Sequence, residues 1–145
     1  MAIKYEFRDM TSEEYQKVTS AFDEHSIEFS NPPDKQERLG FTATINDVFV
    51  GCSSGLAQIN NHQYGKYFYL SDLLVEKQYR KQGFGKKLLE LLENKIQLLS
   101  IEYIWTWTAG YEAPTFYLKH GYKEFTSFEN YYASGHARVG FIKKL

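Results

Sequence analysis

The chain has few of the residues that mark several large protein classes. Its 145 residues include one cysteine, Cys52. No internal disulfide can form, and no cysteine cluster can hold zinc. A single thiol suits a reducing compartment. No run approaches the ~18 apolar residues of a membrane span. The opening residues MAIKYEFRDM are charged and lack the apolar core of a signal peptide. A cytoplasmic protein with no membrane partner is therefore expected. Net charge is also lacking. The balance of −1 gives no global basic field for nucleic acid or an anionic membrane. Any anion site must be local. No repeat, low-complexity tract or linker interrupts the chain, so one domain over 1–145 is expected. Aromatic residues are abundant, with 12 Tyr, 11 Phe and 2 Trp. Core packing accounts for them better than a stacking surface does.

Periodicity lays out the elements. Ile3–Arg8 alternates and predicts a strand. Thr11 and Glu14 form a capping box opening a helix whose face is Tyr15, Val18 and Phe22, to about His25. Asn31-Pro32-Pro33-Asp34 marks a loop. Leu39–Ile45 and Val48–Ile59 predict strands joined by a tight hairpin at Asn46-Asp47. A polar turn, Asn60–Lys66, leads to the strand Tyr67–Val75. A helix from Phe84 to about Leu99 carries Leu88, Leu89, Leu92, Ile96 and Leu99 on its buried stripe. Ile101–Thr108 is another strand. Ala113–His120 is a short helix stopped at Gly121. Tyr122–Phe128 and His136–Lys143 close the chain as strands. The order β-α-β-β-β-α-β-α-β-β predicts antiparallel pairing early and a parallel crossover from Tyr67 to Thr108. The expected fold is α/β, a mixed and mostly antiparallel sheet of six to seven strands with helices on both faces.

The most informative stretch is YFYLSDLLVEKQYRKQGFGKKLLELL, residues 67–92. A β-prone run leads through Arg80-Lys81-Gln82-Gly83-Phe84-Gly85-Lys86 into a helix. The first turn of a helix has N–H groups without intrahelical partners, and its dipole adds positive charge there. Glycine lets backbone approach an anion closely. A phosphate-bearing ligand is the natural occupant. The dinucleotide pattern G-x-G-x-x-G fails because Leu88 stands at the third glycine. The P-loop pattern fails because Arg80 stands five residues before Gly85 and Lys87 follows Lys86. What remains is R-x-x-G-x-G between strand and helix. Alone, that pattern also fits a solvated, charged turn.

Two further segments carry a resemblance. Asp72-Leu73-Leu74-Val75 precedes the glycine turn, and Ala113-Pro114-Thr115-Phe116-Tyr117-Leu118-Lys119-His120-Gly121-Tyr122 follows it. With Arg80–Gly85 they resemble the GCN5-related N-acetyltransferase (GNAT) superfamily in order and spacing over essentially the whole chain. Arg80–Gly85 matches that family's [RQ]-x-x-G-x-[GA] acyl-CoA signature, and Ala113–Tyr122 its A-x-x-F-Y-x-K-x-G-[FY] segment. The resemblance implies an acetyl-CoA-dependent N-acetyltransferase using no metal. It implies that Arg80, Lys81, Gln82, Gly83, Phe84, Gly85 and Lys86 receive the CoA pyrophosphate. The backbones of Leu73, Leu74 and Val75 would pair with the pantetheine arm. The N–H near Leu73 would hold the developing oxyanion. Tyr117 would contact the CoA thiol and protonate it as it leaves. An Asn common three residues before the motif's Ala is replaced by Gly110, so its contact with the CoA arm is lost or replaced.

The acceptor is expected to be a small-molecule or peptide amine. An ammonium of pKa about 10.4 must lose a proton before attack. Asp72, Glu76, Glu112 and His136 are the candidate bases, with Asp72 first because it precedes Leu73. Asp72 equally fits a strand-end carboxylate bonded to a neighbour. Tyr69 stands where histone-type members carry a glutamate base. His136 also fits a surface histidine, and Glu112 an acid favoured at a helix start. Trp105 and Trp107 share one strand face and fit a core or cleft wall better than a cation cage. Cys52, distant in sequence from the signature, gives no case for a covalent intermediate. Transfer is therefore expected in a ternary complex. A non-catalytic acyl-CoA sensor on the same fold is the alternative, since a fold does not guarantee chemistry. A nucleic-acid module built on Arg80–Lys87 conflicts with the near-zero net charge. The sequence leaves oligomeric state open, and the resemblance suggests a homodimer only by analogy.

Overall fold

The computed structural model describes residues 2–33 and 35–145, in two compact units, Met1–Asp34 and Lys35–Leu145. The N-terminal unit is built on α1 (Ser12–Glu28). Its capping box is formed as expected: Thr11 Oγ1 accepts from the Glu14 N–H, and the Glu14 carboxylate accepts from the Thr11 N–H at 2.9 Å. Arg8 grips the same carboxylate through Nη1 and Nη2, both at 2.9 Å. That pairing, with the Thr11 bond, pulls the Glu14 carboxyl down to about 2. The expected strand at Ile3–Arg8 is not formed. Alternation supplies a face, but a strand also needs a partner ladder. Among the described residues this segment has none. Instead the Arg8 N–H turns back to the Glu6 carbonyl at 3.1 Å. Of the expected loop at Asn31–Asp34, Asp34 lies outside the described residues.

The second unit carries a six-stranded, mostly antiparallel sheet. Its strands are β1 (Lys35–Ile45), β2 (Val48–Asn60), β3 (Gln63–Val75), β4 (Tyr103–Ala109), β5 (Lys123–Phe128) and β6 (Arg138–Lys144). Spatial order is β1-β2-β3-β4-β6-β5. Two-residue turns join the first three strands. Asn46 and Asp47 have φ of 51° and 65°, and Asn61 and His62 have 49° and 66°. Positive φ at both central residues is the hairpin geometry that matches strand twist. The second turn is tighter than Asn60–Lys66, so β3 starts at Gln63. α2 (Phe84–Leu98) makes the parallel crossover from β3 to β4. α3 (Pro114–Lys119) ends at His120, with Gly121 at φ 88°.

One core forms where α2 and α3 meet the sheet. Leu89, Leu92 and Ile96 of α2 pack with Phe68 and Leu70 of β3, Ile104 of β4, Phe141 of β6 and Tyr117 of α3. The α2 stripe is as expected, with Leu99 half-buried. The same helix also buries a charge, Glu93. A buried carboxylate needs partners. Tyr122 Oη donates to Glu93 Oε2 at 2.8 Å, and Lys143 Nζ reaches Oε1 at 3.1 Å. The network ties α2 to the start of β5 and to β6. It pushes the Tyr122 hydroxyl pKa strongly upward, through burial first and the Glu93 charge second. Tyr122→Phe removes one of the two groups satisfying Glu93. It should cost about 1–3 kcal/mol, read as a lower urea midpoint with unchanged slope. A midpoint equal to that of the parent would show that the bond carries no stability.

Candidate active site

The β3–β4 ladder is incomplete. β3 runs to Val75 and β4 to Ala109, yet only Tyr67–Tyr69 pair with Tyr103–Trp105. Beyond them the two strands diverge. Thr106 Oγ1 donates to the Leu70 carbonyl at 2.8 Å at the base of the divergence. A bulge sits just beyond: Ser54 opposes Asp72 while Gly55 opposes Leu70, which leaves Ser71 as the extra residue.

Register decides which backbone groups enter the opening. The Glu76 N–H donates to the Val50 carbonyl at 2.8 Å, so Val50 and Glu76 are a hydrogen-bonded pair. Counting back through Gly51↔Val75, Cys52↔Leu74 and Ser53↔Leu73, bonded and non-bonded pairs alternate. Leu73 and Val75 therefore turn their N–H and C=O away from β2, toward β4. Leu74 points its own groups to β2. The Val75 carbonyl accepts from Arg80 Nε at 2.8 Å, which fixes that side chain across the mouth of the opening.

Two adjoining cavities lie here. One, of about 400 Å³, is lined by Leu73, Leu74, Val75, Arg80, Tyr111, Glu112 and Ala113. The other, of about 310 Å³, is lined by the glycine turn from Arg80 to Lys86 without Gln82, together with Val75, Tyr79 and Phe116. The turn has Lys81 at φ 63° and Gly83 at φ 83°, so two left-handed residues fold it around the start of α2. The first intrahelical bond there is Lys87 N–H to the Gly83 carbonyl, which leaves the N–H groups before it for an anion. Arg80, Lys81 and Lys86 supply full charge. This geometry fits a pyrophosphate, with an adjoining channel for a narrow, peptide-like arm.

Tyr117 lines neither cavity. It is 6% exposed, stacked on Phe141 at 5.7 Å, with Thr106 beside its hydroxyl. Burial pushes the hydroxyl up to about 12, and Glu112 adds to the shift while Thr106 opposes it. The group thus stays protonated through the neutral range, as an acid must. Its neighbour Thr106 bonds β3 at the divergence, so Tyr117 stands beneath the opening.

Asp72 belongs to the sheet's other face. It opposes Ser54, whereas neighbouring Ser53 is buried under α2 with its hydroxyl on the Leu88 carbonyl. Ser71 Oγ donates to the Asp72 carboxylate at 2.6 Å and Arg38 Nη2 at 2.9 Å. Those bonds hold its pKa below the ordinary carboxylate value, Ser71 contributing most. A carboxylate so held is a weaker proton acceptor, and it lines neither cavity. Glu112 does line one. Glu76 precedes the turn Lys77–Tyr79. His136 bonds Ser134 at 2.8 Å and packs edge-on to Tyr111, 5.3 Å away. Gly110, at the position of the missing Asn, donates its N–H to the Ala137 carbonyl at 2.8 Å. A Cβ there would meet that carbonyl at 3.3 Å, so little room exists for a side chain.

Several neighbours escaped the sequence reading. Tyr79 and Phe116 wall the glycine-turn cavity; only the place of Phe116 beside Tyr117 pointed to it. Arg38 lies 34 residues from Asp72, and no local pattern links them. Cys52, distant along the chain, is directly opposite Leu74. Burial, then the nearby Asp72 charge, raises its thiol above the usual value, which disfavours the nucleophilic thiolate.

Comparison with known proteins agrees with this geometry. Residues 36–124 match the acetyltransferase (GNAT) domain family. An acetyltransferase from Bacillus cereus superposes with a TM-score of 0.79 at 21% identity, covering 97% of this chain and 98% of that one. A GNAT-family acetyltransferase from Streptococcus pneumoniae gives 0.66 at 18% identity, over 74% and 67%. An aminoglycoside 6'-N-acetyltransferase complexed with coenzyme A gives 0.61 at 24% identity, over 83% and 78%. No curated protein sequence matches the chain. Among the described residues no helix is long and apolar enough to cross a membrane.

The buried Tyr117 hydroxyl has a consequence at high pH. An unfolded tyrosine ionises near pH 10, and the folded one near about 12. Above about pH 10 the unfolded state releases this proton and the folded state does not. Stability is therefore complete below pH 10 and falls as pH rises toward 12. At about pH 11 the loss from this group is on the order of 1 kcal/mol. Urea midpoints at about pH 9 and about pH 11 should converge more in Tyr117→Phe than in the parent. An equal fall in both would mean that Tyr117 ionises normally in the fold.

Proposed function

We propose that this protein transfers an acetyl group from acetyl-CoA to an amine by direct attack in a ternary complex; the chain belongs to the GNAT acetyltransferase family. The observation that carries the reading is the opening between β3 and β4. It faces Leu73 and Val75 backbone groups on one side and adjoins a basic helix start on the other.

Each residue's part follows from its position. The amides from Gly83 to Lys86, with Arg80 and Lys81, hold the pyrophosphate. Arg80 has its Nε on the Val75 carbonyl, so its guanidinium is already oriented. The Leu73 and Val75 backbones extend a ladder to the amide-bearing arm. The cosubstrate supplies an activated acetyl thioester at the end of that arm. The Leu73 N–H stabilises the charge that develops on the acetyl oxygen, because it is fixed in place before reaction. Tyr117 holds a proton for the departing sulfur. Asp72 is paired with Arg38 on the sheet's other face; Glu112, which lines the transfer cavity, takes the proton that the attacking amine loses, directly or through water. No residue here forms a covalent link, and the raised Cys52 pKa favours direct transfer.

Thiol release from acetyl-CoA with a panel of amines tests the reaction. Tight acetyl-CoA binding without turnover on any amine would leave only an acyl-CoA-binding role. Tyr117→Phe should lower kcat roughly ten- to a hundredfold, with acetyl-CoA affinity kept. The effect is modest because a thiolate leaves readily. An unchanged kcat would remove Tyr117 from the reaction. Gly83→Ala forces a Cβ into a left-handed conformation costing about 1–2 kcal/mol. Its dissociation constant for CoA should rise several-fold while kcat at saturation changes little. Undiminished CoA affinity would argue against pyrophosphate at this turn.

A further inference from the structure

The sheet face opposite the α2–α3 core is walled by aromatic rings. Tyr69 stacks on Trp105 at 4.5 Å, and Trp107 stacks on Phe128 at 5.4 Å. Into this wall the first residue of β6, Arg138, sets its guanidinium. Its Cζ lies 4.9 Å from the Trp107 ring centre and 5.3 Å from that of Tyr131. Nη1 donates to Tyr131 Oη at 3.2 Å.

The four arginines differ in what they hold. Arg8 grips Glu14, Arg38 pairs with Asp72, and Arg80 bonds the Val75 carbonyl. Arg138 is half-buried and, among the described residues of its own unit, Lys35–Leu145, has no carboxylate within ion-pair distance. Aromatic stacking engages the faces of a guanidinium, whereas its edge carries the donors that match a carboxylate two at a time. A half-desolvated cation without an anion is poised to bind one, because much of the desolvation and ordering is already done.

Its place in the sheet links it to the transfer site. Arg138 is opposite Ala109 on β4. Tyr69↔Trp105 is the last β3–β4 pair, and Leu73 and Ala109 each stand four residues beyond it. Arg138 is therefore near the level of Leu73, with β4 between them. Ala109 leads into Tyr111, which lines the larger cavity with Leu73 and packs on Tyr132, 5.6 Å away.

We propose that Arg138 reads the acceptor: it binds a carboxylate on the amine to be acetylated, while Trp107, Phe128 and Tyr131 hold that molecule's apolar body. The acceptor class is then an amino carboxylate with an apolar or aromatic portion. Its source can be a free amino acid or a longer molecule with amine and carboxylate further apart. The inference rests on the acetyl-transfer reading, which is tested separately below.

The experiment uses paired acceptors with the full chain. Phenylalanine is compared with phenylalaninamide, and tryptophan with tryptamine. For wider separation, 6-aminohexanoate is compared with its amide. Thiol release and product mass give kcat and KM, and calorimetry on the CoA-loaded protein gives binding without turnover. The carboxylate member of at least one pair should have kcat/KM higher by about ten- to a hundredfold. The pair that responds distinguishes the two sources. Arg138→Gln should raise KM for that member at least tenfold, leave kcat and the amide member nearly unchanged, and keep CoA affinity. Arg138→Lys should restore part of the loss. Equal binding and turnover of every pair overturns the proposal, even if the Gln variant does not fold. Carboxylate-dependent binding without acetylation keeps the Arg138 site and overturns the transfer reading. Acetylation indifferent to the carboxylate does the reverse.

Discussion

The site depends on a ladder that stops early. A sheet is stable because each strand's N–H and C=O groups find partners on both sides. Between β3 and β4 that rule holds for three residue pairs and then lapses. The lapse is built into the chain. The Ser71 bulge re-aims the end of β3, and Thr106 places a side-chain hydroxyl on the Leu70 carbonyl where the next ladder contact would lie. Leu73 and Val75 are left turned toward the opening. A peptide-like arm is a suitable partner for such an edge, since it offers the same donors and acceptors at similar spacing. The rest of the unit holds the edges apart. α2 packs beneath β2 and β3 through Leu88, Leu89 and Leu92, and α3 is fixed below β4 and β6 by Tyr117 against Phe141.

Charge follows the same division. Overall the chain is nearly neutral, and attraction for an anion is confined to the short turn before α2. There the two left-handed residues, Lys81 and Gly83, do what net charge does not. Tyr117 and Asp72 are also separated by environment. Burial keeps the proton on Tyr117, whereas Ser71 and Arg38 keep it off Asp72. The two groups lie on opposite sides of the sheet.

Features set by near neighbours were legible in the sequence. The capping box at Thr11 and Glu14, the hairpin at Asn46-Asp47, the α2 stripe and the strand–turn–helix at 67–92 each require only a few consecutive residues. The parallel crossover and the sheet class followed from the order of those elements. Features made by tertiary pairing were not legible. Ile3–Arg8 had the alternation of a strand but no ladder. Nothing local marks Glu93, yet it is buried because Tyr122 and Lys143, 29 and 50 residues away, come to it. Asp72 gave no sign of Arg38, and Cys52 gave no sign of Leu74. Placing a carboxylate one residue before Leu73 was not enough to show its face. Only the bulge settles that, and bulges leave no reliable mark in a sequence.

The outward positions of the sheet show the same limit. Tyr69, Trp105, Trp107 and Phe128 alternate with core residues, and alternation predicts which residues are inward but not what the outward ones meet. Their aromatic character could have meant a second core. Instead the structure sets a guanidinium among them and leaves it without a carboxylate among the described residues of the Lys35–Leu145 unit. An arginine whose faces are stacked and whose edge has only the Tyr131 hydroxyl as a side-chain partner has a defined chemical preference. The glycine turn and the divided ladder offer mainly backbone groups, so on the proposed reading they bear on the cosubstrate more than on the acceptor. On that reading, discrimination among acceptors falls to side chains rather than to the backbone. On this sheet those are the outward residues around the divergence, and Arg138 is the one among them whose charge no described carboxylate of the Lys35–Leu145 unit answers.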